Sequence, residues 1–147
     1  MLSGQRSLAI AASLADVLAV LSDVERYPEW HPFFERVRAT GRDTQDRVVS
    51  ADCRHNASVT TLNTTLTFTH GRDAVAARRT GGDLRELEGV FEVVEQDGMA
   101  LVTHRLRVDP GLKLGLLLRG PVEERVRERV LIGALDGLSA KASAARG

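Results

Sequence analysis

Apolar residues of the C-terminal segment recur every three or four positions. They are Val122, Val126, Val130, Leu131, Ala134, Leu135, Leu138 and Ala142. Charged residues such as Glu124 and Arg127 fill the opposite side, so the pattern is that of an amphipathic α-helix. Pro121 suits the first turn, where the N–H that proline lacks would be unpaired anyway. The pattern predicts one helix over residues 120–145, on the order of 35 Å long.

The N-terminal part of the chain predicts a strand followed by two short helical elements. Apolar residues alternate over residues 6–12, and Ser13 followed by Asp16 is a typical helix start. Residues 23–32 contain two prolines, which favours a turn or a short, broken helix. Because both helical elements are short, we expect them to close the opening or the concave end of a sheet.

Between residues 34 and 109, apolar positions alternate with polar ones, and short glycine- or aspartate-containing turns interrupt them. This period of two predicts six strands joined as hairpins. With the first strand they make a seven-stranded antiparallel sheet, so the fold class is α+β and one domain spans residues 1–147. A sheet of this size twists and curls, and its predicted inner faces carry small and aliphatic side chains with few aromatics. We therefore expect a cavity between the sheet and the long helix.

Two segments are predicted to flank the mouth of this cavity. Tyr27, Trp30, Phe33 and Phe34 bring four of the six aromatic residues into one short segment, and we expect their rings to line or cap the opening. The second segment, residues 111–120, is rich in leucine and glycine. The two segments are predicted to meet across the mouth and to part when a ligand enters. The alternative is an ordinary strand-to-helix connection whose leucines stay in the core.

Composition and charge narrow the choice of partners. Lys plus Arg and Asp plus Glu both number 20, so no net charge attracts the chain to nucleic acid. The longest nearly apolar run, residues 112–118, is far shorter than the ~20 residues of a membrane-spanning helix. Cys53 is the single cysteine, and the N-terminus lacks the pattern of a signal peptide. These features predict a cytoplasmic protein, a monomer or weak homodimer, without a membrane span.

Several local motifs resemble those of a known family. Residues 23–30, with the sequence DVERYPEW, resemble a D-x-x-x-Y-P-x-W signature after a first helix, and Leu87-Glu88-Gly89 resembles an L-x-G step into a strand. Residues 102–110 and 124–138 resemble the closing strand and helix. The resemblance covers nearly the whole chain and is to the START and birch-pollen-allergen superfamily, in its bacterial polyketide cyclase/dehydrase and lipid-transport-like branch. It implies a helix-grip fold, in which a curved seven-stranded sheet wraps around the C-terminal helix.

The resemblance implies that a hydrophobic small molecule, such as a lipid, a polyketide or a quinone-like compound, is bound or carried between sheet and helix. The alternative is a cyclase- or dehydratase-type enzyme in which His104 removes a proton next to a carbonyl and Arg79 stabilises the enolate. The predicted ligand-binding residues are Trp30, Phe34, His55, Leu66, Phe68, Arg79, Phe91, His104, Leu118 and Val126.

The polar members of this set each have a structural alternative. His104 lies in mid-strand between apolar neighbours, so it either contacts a ligand or is a hydrogen-bonded core histidine. His55 and His70 are explained better by positions near strand ends. Arg79 follows Arg78 directly, and a solvated pair at the sheet edge explains both.

Other chemistries lack their usual patterns. Cys53 and His55 share a predicted strand face, but no third group is present in the sequence pattern to orient a thiol and its base. No close pair of metal ligands such as C-x-x-C or H-E-x-x-H occurs, and no glycine-rich phosphate loop occurs. We therefore predict neither a metal nor another cofactor.

Overall fold

The computed structural model describes residues 2–58, 60–117 and 120–146. Its strands are β1 (Leu2–Ile10), β2 (Phe34–Arg42), β3 (Val48–Asn56), β4 (Thr61–His70), β5 (Ala74–Gly82), β6 (Glu86–Gln96) and β7 (Met99–Asp109). Its helices are α1 (Leu14–Ser22), a 3-10 helix (Val24–Glu29), α2 (Gly111–Leu117) and α3 (Pro121–Arg146).

The seven strands form one antiparallel sheet in the order β1-β7-β6-β5-β4-β3-β2. Each strand from β2 to β7 pairs with its neighbour in sequence, and β1 pairs along β7. Helix α3 lies against β1 and β7, and α1 packs between α3 and the strands β5 to β7. This is the predicted helix-grip arrangement of a curved sheet and a long C-terminal helix.

The hydrophobic face of α3 is the predicted one. Val126, Val130, Leu131, Ala134, Leu135, Leu138 and Ala142 are buried, and Val122 is half-buried. Burial of a leucine side chain contributes roughly 2 kcal/mol, so this face supplies much of the stability of the helix. The predicted start of α1 is also confirmed, because the Ser13 hydroxyl accepts a hydrogen bond of 3.0 Å from the Asp16 N–H.

The predicted strand alternation is largely correct, with local exceptions. The predicted inner-face residues of β7, including His104, are buried, as are Leu62, Leu66 and Phe68 of β4. In β3, however, Val48 is buried and Val49 only half-buried, near an irregularity in the β2–β3 pairing. Strand β1 begins earlier than predicted and pairs with β7 over its whole length.

The connection between β7 and α3 differs from the prediction. The sequence predicts that residues 111–120 connect the last strand to the long helix without a helix of their own, but Gly111–Leu117 form helix α2. Leu112 is 84% exposed and Leu116 is 63% exposed, whereas Leu114 packs against the core. The expectation that the leucines of this segment are all in the core, or all over the cavity, is therefore wrong for Leu112 and Leu116.

Candidate functional site

Two adjoining pockets, here called the outer and inner lobes of the cavity, lie between the sheet and α3. The outer lobe has a volume of about 230 Å³ and is lined by Leu2, Phe33, Ala57, Leu62, Leu84, Leu106, Val108, Pro110, Gly115, Glu123, Val126 and Val130. Most of these side chains are apolar. The carboxylate of Glu123 is paired with Arg127 one turn further along α3, at 3.2 Å. The outer lobe is thus an apolar space with a charged pair on α3 beside it.

The inner lobe is much smaller, at about 40 Å³. Its lining includes Tyr27, His31, Phe34, Phe91 and His104, and it shares Phe33, Leu106 and Val130 with the outer lobe. Two histidines therefore line a space whose other described lining residues are aromatic or aliphatic. A water molecule occupies about 30 Å³ in the liquid, so the inner lobe has room for little more than one small polar group.

Aromatic rings of residues 27–34, here called the aromatic segment, fill the interior next to the inner lobe. Tyr27 meets Trp30, Phe34 and Phe68 edge to face, with ring centroids 5.0, 5.3 and 6.3 Å away. Its hydroxyl donates to the Leu21 carbonyl at 2.6 Å. The sequence predicts these rings at the cavity mouth and few aromatics inside, but only Phe33 lines the outer lobe. The segment lies deep because glycines of α3 leave room for its backbone.

His104 stacks on Phe91, its partner in the β6–β7 pairing. The two rings are nearly parallel, with centroids 4.1 Å apart. The residue is 2% exposed, and its Nδ1 is buried without a hydrogen-bond partner. Burial lowers the His104 pKa to about 4, although the nearby Leu131 backbone opposes this shift. His104 is therefore a neutral imidazole at pH 7 and lines the inner lobe.

His31 is a second cavity histidine, which the sequence analysis did not select. The Phe33 N–H donates to His31 Nδ1 at 3.3 Å, and the ring stands almost perpendicular to that of His104, with centroids 6.1 Å apart. Burial, with His104 and His55 nearby, lowers the His31 pKa well below its usual value. A histidine in a proline-punctuated segment gives no periodic signal for the face on which it lies, so the sequence places His31 on the aromatic segment near the predicted polar groups but does not show that it lines the cavity.

His55 and His70 are held by protein groups. His55 Nε2 lies 2.7 Å from the Thr64 hydroxyl, and its ring stacks on Phe33 with centroids 4.3 Å apart. Burial lowers its pKa to about 4. His70 Nε2 donates to the Val48 carbonyl at 2.7 Å. Neither histidine lines a lobe of the cavity, so His55 supports the wall through Phe33 and His70 closes the end of its strand.

The guanidinium of Arg79 is hydrogen-bonded to backbone carbonyls and so is not free to stabilise an enolate. Its Nε donates to the Asp83 carbonyl at 3.0 Å and its Nη2 to the Gly82 carbonyl at 2.7 Å. These bonds fasten the turn after β5, and Arg79 is not among the described residues that line either lobe. The geometry therefore does not support Arg79 as the oxyanion partner of His104.

The other predicted ligand-binding residues occupy different parts of the interior. Val126 lines the outer lobe, whereas Phe34, Leu66 and Phe91 line the inner lobe. Trp30 and Phe68 are buried and contact Tyr27 but line neither lobe, and Leu118 lies outside the described residues. Residues of the outer lobe such as Leu62, Leu84 and Leu106 were not selected, although alternation had placed Leu62 and Leu106 on the inner face.

The structure offers little for thiol or metal chemistry. Burial, with the Asp52 carboxylate nearby, raises the Cys53 pKa to about 12, so the thiol is protonated at pH 7. Within the described residues, no group of three or more His, Cys, Asp or Glu side chains is arranged to hold a metal ion. Among the described helices, none is long and apolar enough to cross a membrane.

Residues 10–133 match the family described as polyketide cyclase/dehydrase and lipid transport. The chain belongs to this family, and so to the START-like class that its sequence motifs resembled. A comparison with curated protein sequences found no match.

Solved structures share the fold. A START superfamily protein from Mycobacterium smegmatis is 16% identical, with a TM-score of 0.82 over 97% of this chain and 98% of that one. A protein from Thermus thermophilus is 18% identical, with a TM-score of 0.79 over 99% of both chains. The Zhui aromatase/cyclase from Streptomyces sp. R1128 is 17% identical, with a TM-score of 0.75 over 99% of this chain and 95% of that one.

Proposed function

We propose that this protein binds a small, largely apolar molecule in the cavity between its sheet and α3. The observation that carries the proposal is the outer lobe, a space of about 230 Å³ whose lining is apolar except for Glu123. Transfer of apolar surface from water into such a space is favourable by ~25 cal/mol per Å². Membership of a family described by polyketide cyclization and lipid transport supports the same function.

The volume narrows the class of ligand. Pockets for drug-sized ligands measure ~300–1,000 Å³, and the outer lobe, at about 230 Å³, is smaller. Of the three classes considered from the sequence, a compact polyketide-like or quinone-like ring system fits this space better than an extended lipid chain. The contacts proposed for its apolar body are Phe33, Leu62, Leu84, Leu106, Val126 and Val130.

An enzymatic role has one specific observation in its favour. His104 lines the inner lobe, and its buried Nδ1 has no hydrogen-bond partner among the described residues. Against this role, a histidine with a pKa of about 4 is a weak base at neutral pH, and Arg79 is bonded elsewhere. Cyclization or dehydration is therefore the second candidate. A His104→Ala variant that still binds the ligand but no longer turns over a poly-β-ketone would support it.

We further propose that one domain spans residues 1–147 and that the protein is a cytoplasmic monomer or weak homodimer. The length of 147 residues supports the single domain, and the single cysteine, which cannot form an internal disulfide, supports the cytoplasmic location. Light scattering coupled to gel filtration measures the oligomeric state directly.

Binding is tested by blocking the outer lobe. Native mass spectrometry of gently purified protein would show a retained ligand, and NMR titration with naphthalene measures uptake of an apolar ring. A Val126→Trp variant should fill the lobe and lose naphthalene binding. Ile132→Trp, at a position of α3 that is 41% exposed, is the matched control and should bind like the wild type. Absence of naphthalene binding in the wild type, or equal binding by Val126→Trp, would contradict the proposed function.

A further inference from the structure

The tautomer of His31 is set by the backbone N–H of Phe33, two residues further along the chain. The Phe33 N–H donates to His31 Nδ1, so this nitrogen is the acceptor of the ring. In a neutral imidazole the other nitrogen then carries the proton. His31 is buried and its surroundings disfavour the charged form, because burial and two neighbouring histidines lower its pKa. His31 therefore presents an Nε2–H donor on the side of the ring away from Phe33 N.

This donor has no partner among the described residues. His55 Nδ1 and His104 Nδ1 have neither a hydrogen-bond partner nor solvent-accessible surface. His31 Nε2 is not among these fully enclosed atoms. His31 lines the inner lobe and is 4% exposed, and because its Nδ1 is held by the Phe33 N–H, Nε2 is the ring nitrogen left to meet a group in that lobe. A donor in an apolar interior favours any acceptor that reaches it, so a ligand oxygen at this point would form a hydrogen bond that the protein itself does not provide.

The inner lobe also limits what that group can be. Its volume of about 40 Å³ fits a single hydroxyl or carbonyl oxygen, and its described lining contains no cationic side chain. The histidines there are neutral, so a carboxylate would lose its hydration without a charged partner. An uncharged oxygen avoids this cost.

We propose that His31 is a specificity-determining residue whose Nε2–H donates to an uncharged carbonyl or hydroxyl oxygen at the inner end of a ring-shaped ligand. The body of the ligand occupies the outer lobe, so this inference rests on the proposed function. The His104 ring, perpendicular to that of His31, forms the facing wall. The site thus selects neutral phenols and ketones over carboxylates with the same ring system.

Three probes with the same ring system test this assignment by NMR titration: naphthalene, 2-naphthol and 2-naphthoate. Wild-type protein should bind 2-naphthol about fivefold or more tightly than naphthalene, and 2-naphthoate at least about tenfold more weakly than 2-naphthol. In His31→Phe, which keeps a planar ring but has no donor, 2-naphthol and naphthalene should bind equally. His70→Gln alters a histidine outside the cavity and should keep the wild-type preference.

The imidazole nitrogens provide a readout besides affinity. Proton–nitrogen correlation spectra at pH 7 should show His31 protonated at Nε2, with a shift of that signal when 2-naphthol is added. Protonation at Nδ1, or equal affinity of wild type for naphthalene and 2-naphthol, would overturn the role of His31 while leaving apolar binding intact. Equal or tighter binding of 2-naphthoate would overturn it too. Binding of none of the probes would overturn the proposed function and this inference together.

Discussion

Gly137 of α3 lies directly against the backbone carbonyl of Trp30. A Cβ atom on residue 137 would overlap the Trp30 oxygen, so no side chain fits at this position without a shift of the backbone. One turn earlier, a Cβ on Gly133 would lie 2.9 Å from Pro32 Cγ. Because the two glycines have no side chains, the backbone of the aromatic segment packs closely against α3 there. This close packing places the rings of Tyr27 and His31 in the interior.

Because of this contact, we expect Gly137→Ala to lower the stability of the protein, although alanine favours a helix more than glycine does. Glycine to alanine at an open site within a helix stabilises by about 1 kcal/mol, but Gly137→Ala should destabilise the protein by about 3 kcal/mol because the methyl group overlaps the Trp30 carbonyl. Denaturant unfolding measures the change. Asp136→Ala, at the exposed neighbouring position, is the control and should change the free energy of unfolding by less than about 0.5 kcal/mol. A neutral or stabilising Gly137→Ala would show that the segment is not seated there.

The sequence predicted the buried faces correctly where hydrophobic residues recur with a regular period. Alternation placed His104 on the inner face of β7, and the three- and four-residue steps identified the buried side of α3. The place of His31 in the cavity could not be predicted, because it depends on how closely Gly133 and Gly137 let the aromatic segment approach α3. That contact joins residues distant in sequence. Helix α2 was not predicted, because its closely spaced leucines show no amphipathic period. Arg79 was selected from its strand face, but its guanidinium reaches along the strand to carbonyls of the following turn.

Acid should destabilise the protein through its buried histidines. In the folded state the pKa values of His55 and His104 are lowered from 6.5 to about 4, and that of His31 is lowered too. Between these values the unfolded chain binds more protons than the folded one, so stability is present above pH 6.5 and is lost as the pH falls toward 4. His55 and His104 each contribute on the order of 3 kcal/mol to this loss, because one pKa unit corresponds to about 1.4 kcal/mol.

Urea unfolding between pH 7.5 and 4.5 checks this prediction. His104→Phe should have a shallower dependence of stability on pH than the wild type. Phe91→Leu, which weakens packing in the same cluster without removing a titrating group, should lower stability at every pH and keep the wild-type slope. A wild-type stability that is constant from pH 7 to 5 would contradict the burial of neutral histidines.

Cys53 should be unreactive in the native protein. Its side chain is 4% exposed, and burial beside the Asp52 carboxylate raises the thiol pKa to about 12. Since the thiolate is the reactive form, alkylation by iodoacetamide at pH 8 should be at least about a hundredfold slower than in urea-unfolded protein. Mass spectrometry of timed samples gives both rates. Rapid native alkylation would indicate that the edge strand β2 separates from β3 or that the thiol is activated.

Entry of a ligand should depend on α2 rather than on both segments that flank the cavity. The aromatic segment is fastened by backbone hydrogen bonds from Trp30 and His31 to the Tyr27 carbonyl, at 3.1 and 2.7 Å, and by its buried rings. Helix α2 has only seven residues, exposes Leu112 and Leu116, and contributes Gly115 to the outer lobe. A helix this short has little stability of its own, so it should open locally before the sheet does.

Hydrogen exchange measured by mass spectrometry distinguishes the two segments. Peptides covering α2 should exchange faster than the aromatic segment and the central strands, and saturation with 2-naphthol should slow exchange in α2. The slowed exchange is the essential result, because a frayed connection unrelated to the cavity would exchange rapidly with or without the probe. Equally fast exchange in the aromatic segment would instead support an opening in which both segments part. A Gly115→Ala variant, whose added methyl group would make only an ordinary contact with Pro110, should stiffen α2 and slow both association and release of 2-naphthol.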